Sequence, residues 1–271
     1  MEKLQAAIIS ARRRRDSFLG SGHGHQPSAV SGDVSQAWGA LTPFTPDPKV
    51  LAKRRVIANT RGPARNALDM LRTRLLNMMR EKGWRRLMIT SPTRGCGKTM
   101  VTANLALAVQ RQIDLTTIAL DFDLIGAQLG NTLGILPDHG VSDLLSGHVR
   151  PADQMVRIGD NLAVSASRSG GFEHGELLKA AATEACIQDI DQTYAPDLMI
   201  FDFPPAFAND EVIAAARFVD CALIVGASEQ TSMAELDTTE RDLSQYTNIA
   251  GVVLNKYRFA SEKTGYENPY V

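Results

Sequence analysis

From Arg61 onward the apolar positions fall into two alternating patterns. The stretch ARNALDMLRTRLLNMMREKG places Leu68, Leu71, Leu75 and Met79 on one helical stripe and stops at Gly83. RRLMITS is a short apolar run that predicts a strand; SPTRGCGKT follows it, and TMVTANLALAVQRQ returns to a helical pattern. Five more short runs, TTIALDFD, NLAVSAS, DLMIFDF, CALIVGAS and IAGVVLN, read as strands with helical segments between most of them. Apolar strands alternating with helices predict an α/β fold: a mostly parallel sheet with helices on both faces.

The first sixty residues break this pattern. In MEKLQAAIISARRRRDSFL, Leu4, Ala7, Ile8 and Ala11 lie at helical spacing ahead of Arg12 to Arg15, which predicts a short amphipathic helix with a basic end. Residues 20 to about 60 are rich in Gly, Ser, Pro and His and read as a mobile linker; His23 and His25 belong to it. The expected organisation is a basic helix and linker over 1–60, one compact domain over 61–256, and a tail over 257–271. That tail region carries Tyr257, Tyr266 and Tyr270 among Glu, Lys, Gly, Asn and Pro, in a chain with only five tyrosines.

Composition narrows the setting. The 271 residues are 44% hydrophobic and 22% charged, enough for one substantial core. A net charge of −1 gives no global attraction to nucleic acid, and no nucleic-acid partner is expected. Cys96, Cys186 and Cys221 stand far apart, which argues against a disulfide or zinc framework. No run in the sequence reaches the roughly 18 to 20 apolar residues that span a bilayer, so a cytoplasmic location is expected.

Candidate chemistry concentrates in SPTRGCGKT. Gly95 and Gly97 let successive backbone amides converge on one point, Lys98 adds a positive charge, and Thr99 places a hydroxyl at the start of a helix. Such a loop holds polyphosphate and Mg²⁺. The pattern G-x-x-x-x-G-K-S/T is met at Gly97, Lys98 and Thr99, with Pro92 in place of the first glycine. Asp121 and Asp123 close one predicted strand and Asp202 another, at the sheet end where open α/β folds bind ligands. A carboxylate there calls for a cation or a hydrogen-bond donor.

Taken together, SPTRGCGKT, ALDFDL and MIFDFPP resemble the Walker A, A′ and B motifs of the bacterial tyrosine kinases, the CpsD/CapB-type autokinases of capsule and exopolysaccharide synthesis. The resemblance runs over roughly residues 61 to 271 and implies a P-loop NTPase fold of the SIMIBI class, shared with MinD/ParA-type ATPases. In those ATPases an extra loop lysine would fall on Thr93. The resemblance implies ATP and Mg²⁺ as cofactors, with Arg94, Gly95, Cys96, Gly97, Lys98, Thr99, Met100 and Asn255 at the nucleotide. It implies Thr99, Asp123 and Asp202 at the metal, Lys98, Asp121 and Asp123 in catalysis with Asp121 as base, and Tyr257, Tyr266 and Tyr270 as phosphate acceptors. Asn255 reads equally as a strand-end cap, and Cys96 as a redox brake or as a small tolerated side chain.

The implied partners are a separate transmembrane polysaccharide co-polymerase-type activator, which recruits the kinase to the inner membrane face, and further copies of the chain for phosphorylation in trans. The basic N-terminal helix reads either as a dock for that partner or for anionic lipid, or as a solvated helix end. Two departures qualify the match. Ile125, Gly126 and Ala127 stand where the family's A′ motif carries a basic pair and proline, and the family's E-x-x-R-x-x-R self-association motif aligns with Asn66, Asp69 and Arg72. They leave open two other functions, an ATP-switched regulator without kinase activity and a MinD/ParA-like positioning ATPase.

Overall fold

The computed structural model describes residues 31–168, 177–178, 181–208 and 210–257. An eight-stranded sheet runs in the order β1-β4-β5-β3-β6-β2-β7-β8. Its strands are β1 (Thr42–Pro43), β2 (Arg86–Thr90), β3 (Thr117–Asp121), β4 (Val156–Ile158), β5 (Leu162–Ser165), β6 (Leu198–Asp202), β7 (Cys221–Ala227) and β8 (Asn248–Asn255). Every pairing is parallel except β4 with β5. Strands β2, β3, β5, β6 and β7 consist almost entirely of buried residues, as a sheet covered on both faces requires.

One face packs under two helices, α3 (Pro63–Lys82) and α4 (Lys98–Gln110). Leu68, Leu75 and Met79 of α3 supply the predicted stripe, and the left-handed Gly83 ends that helix. Nearly all of α4 is buried, since it lies between the sheet and α3. The opposite face gathers Phe122, Phe201 and Phe203, whose rings meet edge-on or tilted at centroid separations of 5.0 to 6.3 Å. It is covered by α8 (Ala181–Tyr194) and α10 (Met233–Leu243), elements that bury Ile187, Ile190, Tyr194, Leu236 and Leu243. The predicted mostly parallel α/β sheet is the fold observed, with β1 and β4 added at one edge.

The linker expected up to residue 60 is corrected from Ser31 onward. The helix α1 (Ser31–Ala40) lies against α8; Trp38 is buried, its indole donates to the Tyr194 carbonyl at 2.8 Å, and the two rings pack edge-on. The short β1 pairs with β4, and α2 (Pro48–Lys53) buries Leu51, followed by buried Val56 and Ala58. The Asn104 side chain of α4 accepts the backbone N–H groups of Ile57 and Ala58, so this irregular stretch meets its hydrogen-bonding demand inside the fold. The basic segment 1–19 lies outside the described residues.

Candidate active site

Register brings the three motifs together. Strands β3, β6 and β2 are neighbours, with Asp121 paired to Asp202 and Asp202 paired to Ile89, one residue before the end of β2. The loop after β2 therefore opens beside both carboxylates. Gly95 and Gly97 adopt φ of 84° and 91°, a region L side chains rarely enter. A Cβ at Gly97 would collide with the Asn255 side chain, whose amide donates to the Cys96 carbonyl at 2.8 Å. Asn255 thus ties the end of β8 to the phosphate-type loop. Arg94 is exposed on the loop, and Met100 is half-buried beneath it, its sulfur accepting from Asn104.

The Cys96 thiol is buried and turned away from solvent, bonded to the Thr93 carbonyl and lying 3.5 Å from the Thr231 hydroxyl. Burial raises its pKa, but hydrogen bonds from Thr231, Thr93 and Ser91 outweigh that and lower it. Its place makes it an internal brace of the loop and closes it to the oxidants that a redox brake would meet. The Thr93 hydroxyl also faces Cys96, so no cation projects from that position.

Lys98 begins α4, and its Nζ donates to Asp123 Oδ2 at 2.6 Å in a nearly buried ion pair. Burial opposes the ammonium charge, yet the Asp202 and Asp123 carboxylates prevail and raise its pKa. Asp123 is held by the turn that follows it: the Gly126 amide donates to Oδ1 at 2.8 Å, and the Ala127 amide donates to the Asp123 carbonyl at 2.6 Å. A Cβ at position 126 would press into that carboxylate, and this explains locally why a basic residue is absent there.

Asp121 and Asp202 are both fully buried. Asp121 Oδ2 accepts the Leu129 amide at 3.1 Å, and Asp202 Oδ1 accepts the Thr102 hydroxyl at 3.1 Å. Among the described residues, Asp121 Oδ1 and Asp202 Oδ2 have no hydrogen-bond partner. Burial, and then the neighbouring Asp202 charge, push the Asp121 carboxyl well above its ordinary range. Burial likewise raises Asp202, offset in part by Lys98 and the Thr99 hydroxyl. Two partnerless carboxylate oxygens beneath a loop of convergent amides fit a cation accompanied by phosphate. Among the described residues no group of three or more His, Cys, Asp or Glu forms a metal cage. Mg²⁺ suits such a place, because it is usually held by one or two carboxylates together with phosphates and waters.

The structure therefore gathers Gly95, Gly97, Lys98, Thr99, Asp121, Asp123, Asp202 and Asn255 around one site. Tyr257 stands exposed just beyond β8, on the far side of β7 and β2 from the aspartates, while Tyr266 and Tyr270 lie outside the described residues. Sequence reading missed Thr102 and Ser167. Ser167 donates to the Asp121 carbonyl at 3.0 Å, fixing the end of β5 to the end of β3. A hydroxyl four residues after Lys98, within an otherwise apolar helix face, was the available signal for Thr102.

Arg72, the one residue kept from the expected self-association motif, faces inward. Its guanidinium binds Asp69 at 3.3 Å and the Ala108 carbonyl at 3.1 Å, while Asp69 also meets Arg65 and Arg111. This cluster docks α3 on α4 within one chain.

A family model described as ParA, NUBPL iron-transfer P-loop NTPase, matches residues 84–270. A protein of Ralstonia solanacearum named putative tyrosine-protein kinase EpsB is 32% identical over 213 residues, which span 77% of this chain and 28% of that protein. Tyrosine-protein kinase etk of Escherichia coli K12 is 29% identical over 210 residues, 73% of this chain and 27% of that protein. The chain thus spans little more than a quarter of the curated relatives it matches. The solved kinase domain of Escherichia coli tyrosine kinase ETK superposes with a TM-score of 0.66 at 25% identity, covering 90% of this chain and 100% of that domain.

Proposed function

The chain belongs to the ParA family of P-loop NTPases, and from that premise we propose that it is an ATP- and Mg²⁺-dependent protein-tyrosine kinase that phosphorylates tyrosines of its own C-terminal segment. The observation that carries this reading is the set Lys98, Asp121, Asp123 and Asp202, assembled at the ends of adjacent strands beside the loop of Gly95 and Gly97. The match to a complete kinase domain, and to proteins named tyrosine kinases, supports it.

Bound MgATP supplies the γ-phosphoryl group. Lys98 and the loop amides hold the phosphate charge, and Thr99, Asp123 and Asp202 hold the cation. The tyrosine oxygen forms the new bond to phosphorus, the bond to the β-phosphate oxygen breaks, and a carboxylate takes the phenolic proton. Asp121 is the residue for that proton; in this arrangement it is shut from solvent, and burial together with the neighbouring Asp202 charge pushes its carboxyl well above its ordinary range. The physiological role that follows is control of exopolysaccharide or capsule synthesis, chain length or export, with a transmembrane protein as activator at the inner membrane face.

Incubation with γ-labelled ATP and Mg²⁺ tests the reading: label should appear on tyrosine and fall at least a hundredfold in Lys98→Ala or on chelation of the metal. The burial of Asp121 favours a second reading, an ATP-switched regulator without transfer chemistry. Tight ATP binding with no labelled tyrosine, even with a membrane activator present, would favour that reading over the first.

A further inference from the structure

Cys96 is gripped by two elements that lie outside its own loop. Its carbonyl accepts the Asn255 amide at the end of β8, and its sulfur lies 3.5 Å from the Thr231 hydroxyl, in the turn between β7 and α10. The donors sort by elimination. The thiol S–H points at the Thr93 carbonyl, 3.3 Å away, and the Thr231 oxygen already accepts the Ala227 amide at 2.9 Å. The Thr231 hydroxyl proton is then the one that donates to the Cys96 sulfur. Thr231 is held in its turn. The Ser228 amide donates to the Asn255 carbonyl at 2.8 Å and the Lys256 ammonium to the Gln230 side chain at 3.3 Å, so residues 228–232 and the end of β8 form one support.

We infer that Thr231 is a positioning residue for ATP: acting through the Cys96 side chain, it fixes the direction of the loop amides that receive the phosphates. The inference rests on the nucleotide half of the kinase reading and not on phosphoryl transfer. Its physical basis is the planarity of the peptide unit. In a trans peptide the carbonyl and the next N–H point opposite ways, so a Cys96 carbonyl bonded to Asn255 turns the Gly97 N–H away from Asn255. Gly95 and Gly97, at φ of 84° and 91°, flank Cys96 and have no side chain to stop a peptide plane from rotating. Cys96 is the residue between them, and its side chain is where the loop is secured. A loop secured before the nucleotide arrives loses less conformational entropy on binding, which strengthens binding with no new contact to the ligand.

Calorimetric titration of the full chain with MgATP reads the effect without requiring transfer. Thr231→Val keeps the side-chain shape and removes the donor, and should raise the ATP Kd about fivefold, the scale of one hydrogen bond. Thr231→Ser should bind as the wild type does. Because Thr231→Val also strips the Ala227 amide of its partner, the decisive comparison is a double-mutant cycle. Cys96→Ala removes the acceptor and should raise Kd by a similar factor; adding Thr231→Val to it should change Kd by less than about twofold, while thermal melting still shows the Ala227 loss. An unchanged Kd in either single variant, or a Thr231→Val effect undiminished in the Cys96→Ala background, overturns the inference. A wild type that binds ATP yet labels no tyrosine overturns the kinase reading and leaves this inference to the cycle; a wild type that binds no ATP overturns both.

Discussion

Asp202 shows at the scale of one residue how a functional site costs stability. Its carboxyl is fully buried, one oxygen bonded to Thr102 and the other without a hydrogen-bond partner among the described residues. Because burial raises its pKa above the ordinary aspartate range, the folded state binds more protons than the unfolded one, so stability falls as pH rises through the folded pKa. Asp202→Asn should therefore raise stability at pH 7 by on the order of 1–3 kcal/mol. Near pH 3.5 it should change little, and thermal melting across that range reads the difference. The same substitution should abolish Mg²⁺-dependent activity, as expected where a site is kept at the expense of stability. Lys98, Thr99 and the three aspartates were legible in the sequence because loop spacing and strand ends mark them. The bond from Asn255 to Cys96 was not, since it joins residues 159 positions apart and depends on how β8 docks on β7.

The elements that sequence reading found are those whose apolar residues repeat, α3 and six strands, five of them buried almost throughout. Residues 31–58 escaped because Trp38, Leu41, Leu51, Val56 and Ala58 are scattered among Pro, Gly, Ser and Thr, each docking singly on a body built by the later chain. Trp38→Ala removes a buried ring and its bond to Tyr194 and should destabilise the protein by about 3–4 kcal/mol, measured by denaturant unfolding. A true linker residue would show almost no effect. Helix α3 gives the complementary case. Arg72 is the one residue kept from the family's self-association motif, and the Asp69 carboxylate and the Ala108 carbonyl turn it inward. Arg72→Ala should then lower stability by about 1–2 kcal/mol and leave the sedimentation coefficient of the folded protein unchanged.

For the whole molecule, the fold brings the loop of Gly95 and Gly97, Lys98 and the three aspartates to one end of the sheet, with β3, β6 and β2 at its centre. Among the described residues no helix is long and apolar enough to cross a membrane. The chain returns to solvent at β8, where Tyr257 is exposed two residues past Asn255, the residue that ties the strand end to the phosphate-type loop. Phosphopeptide mapping of the purified chain after incubation with ATP and Mg²⁺ tests the central claim most directly, with Asp123→Asn as control and a membrane activator fragment supplied. The account predicts phosphotyrosine at Tyr266 or Tyr270 in the wild type and none in the control; an unmodified tail on a chain that binds ATP would contradict it.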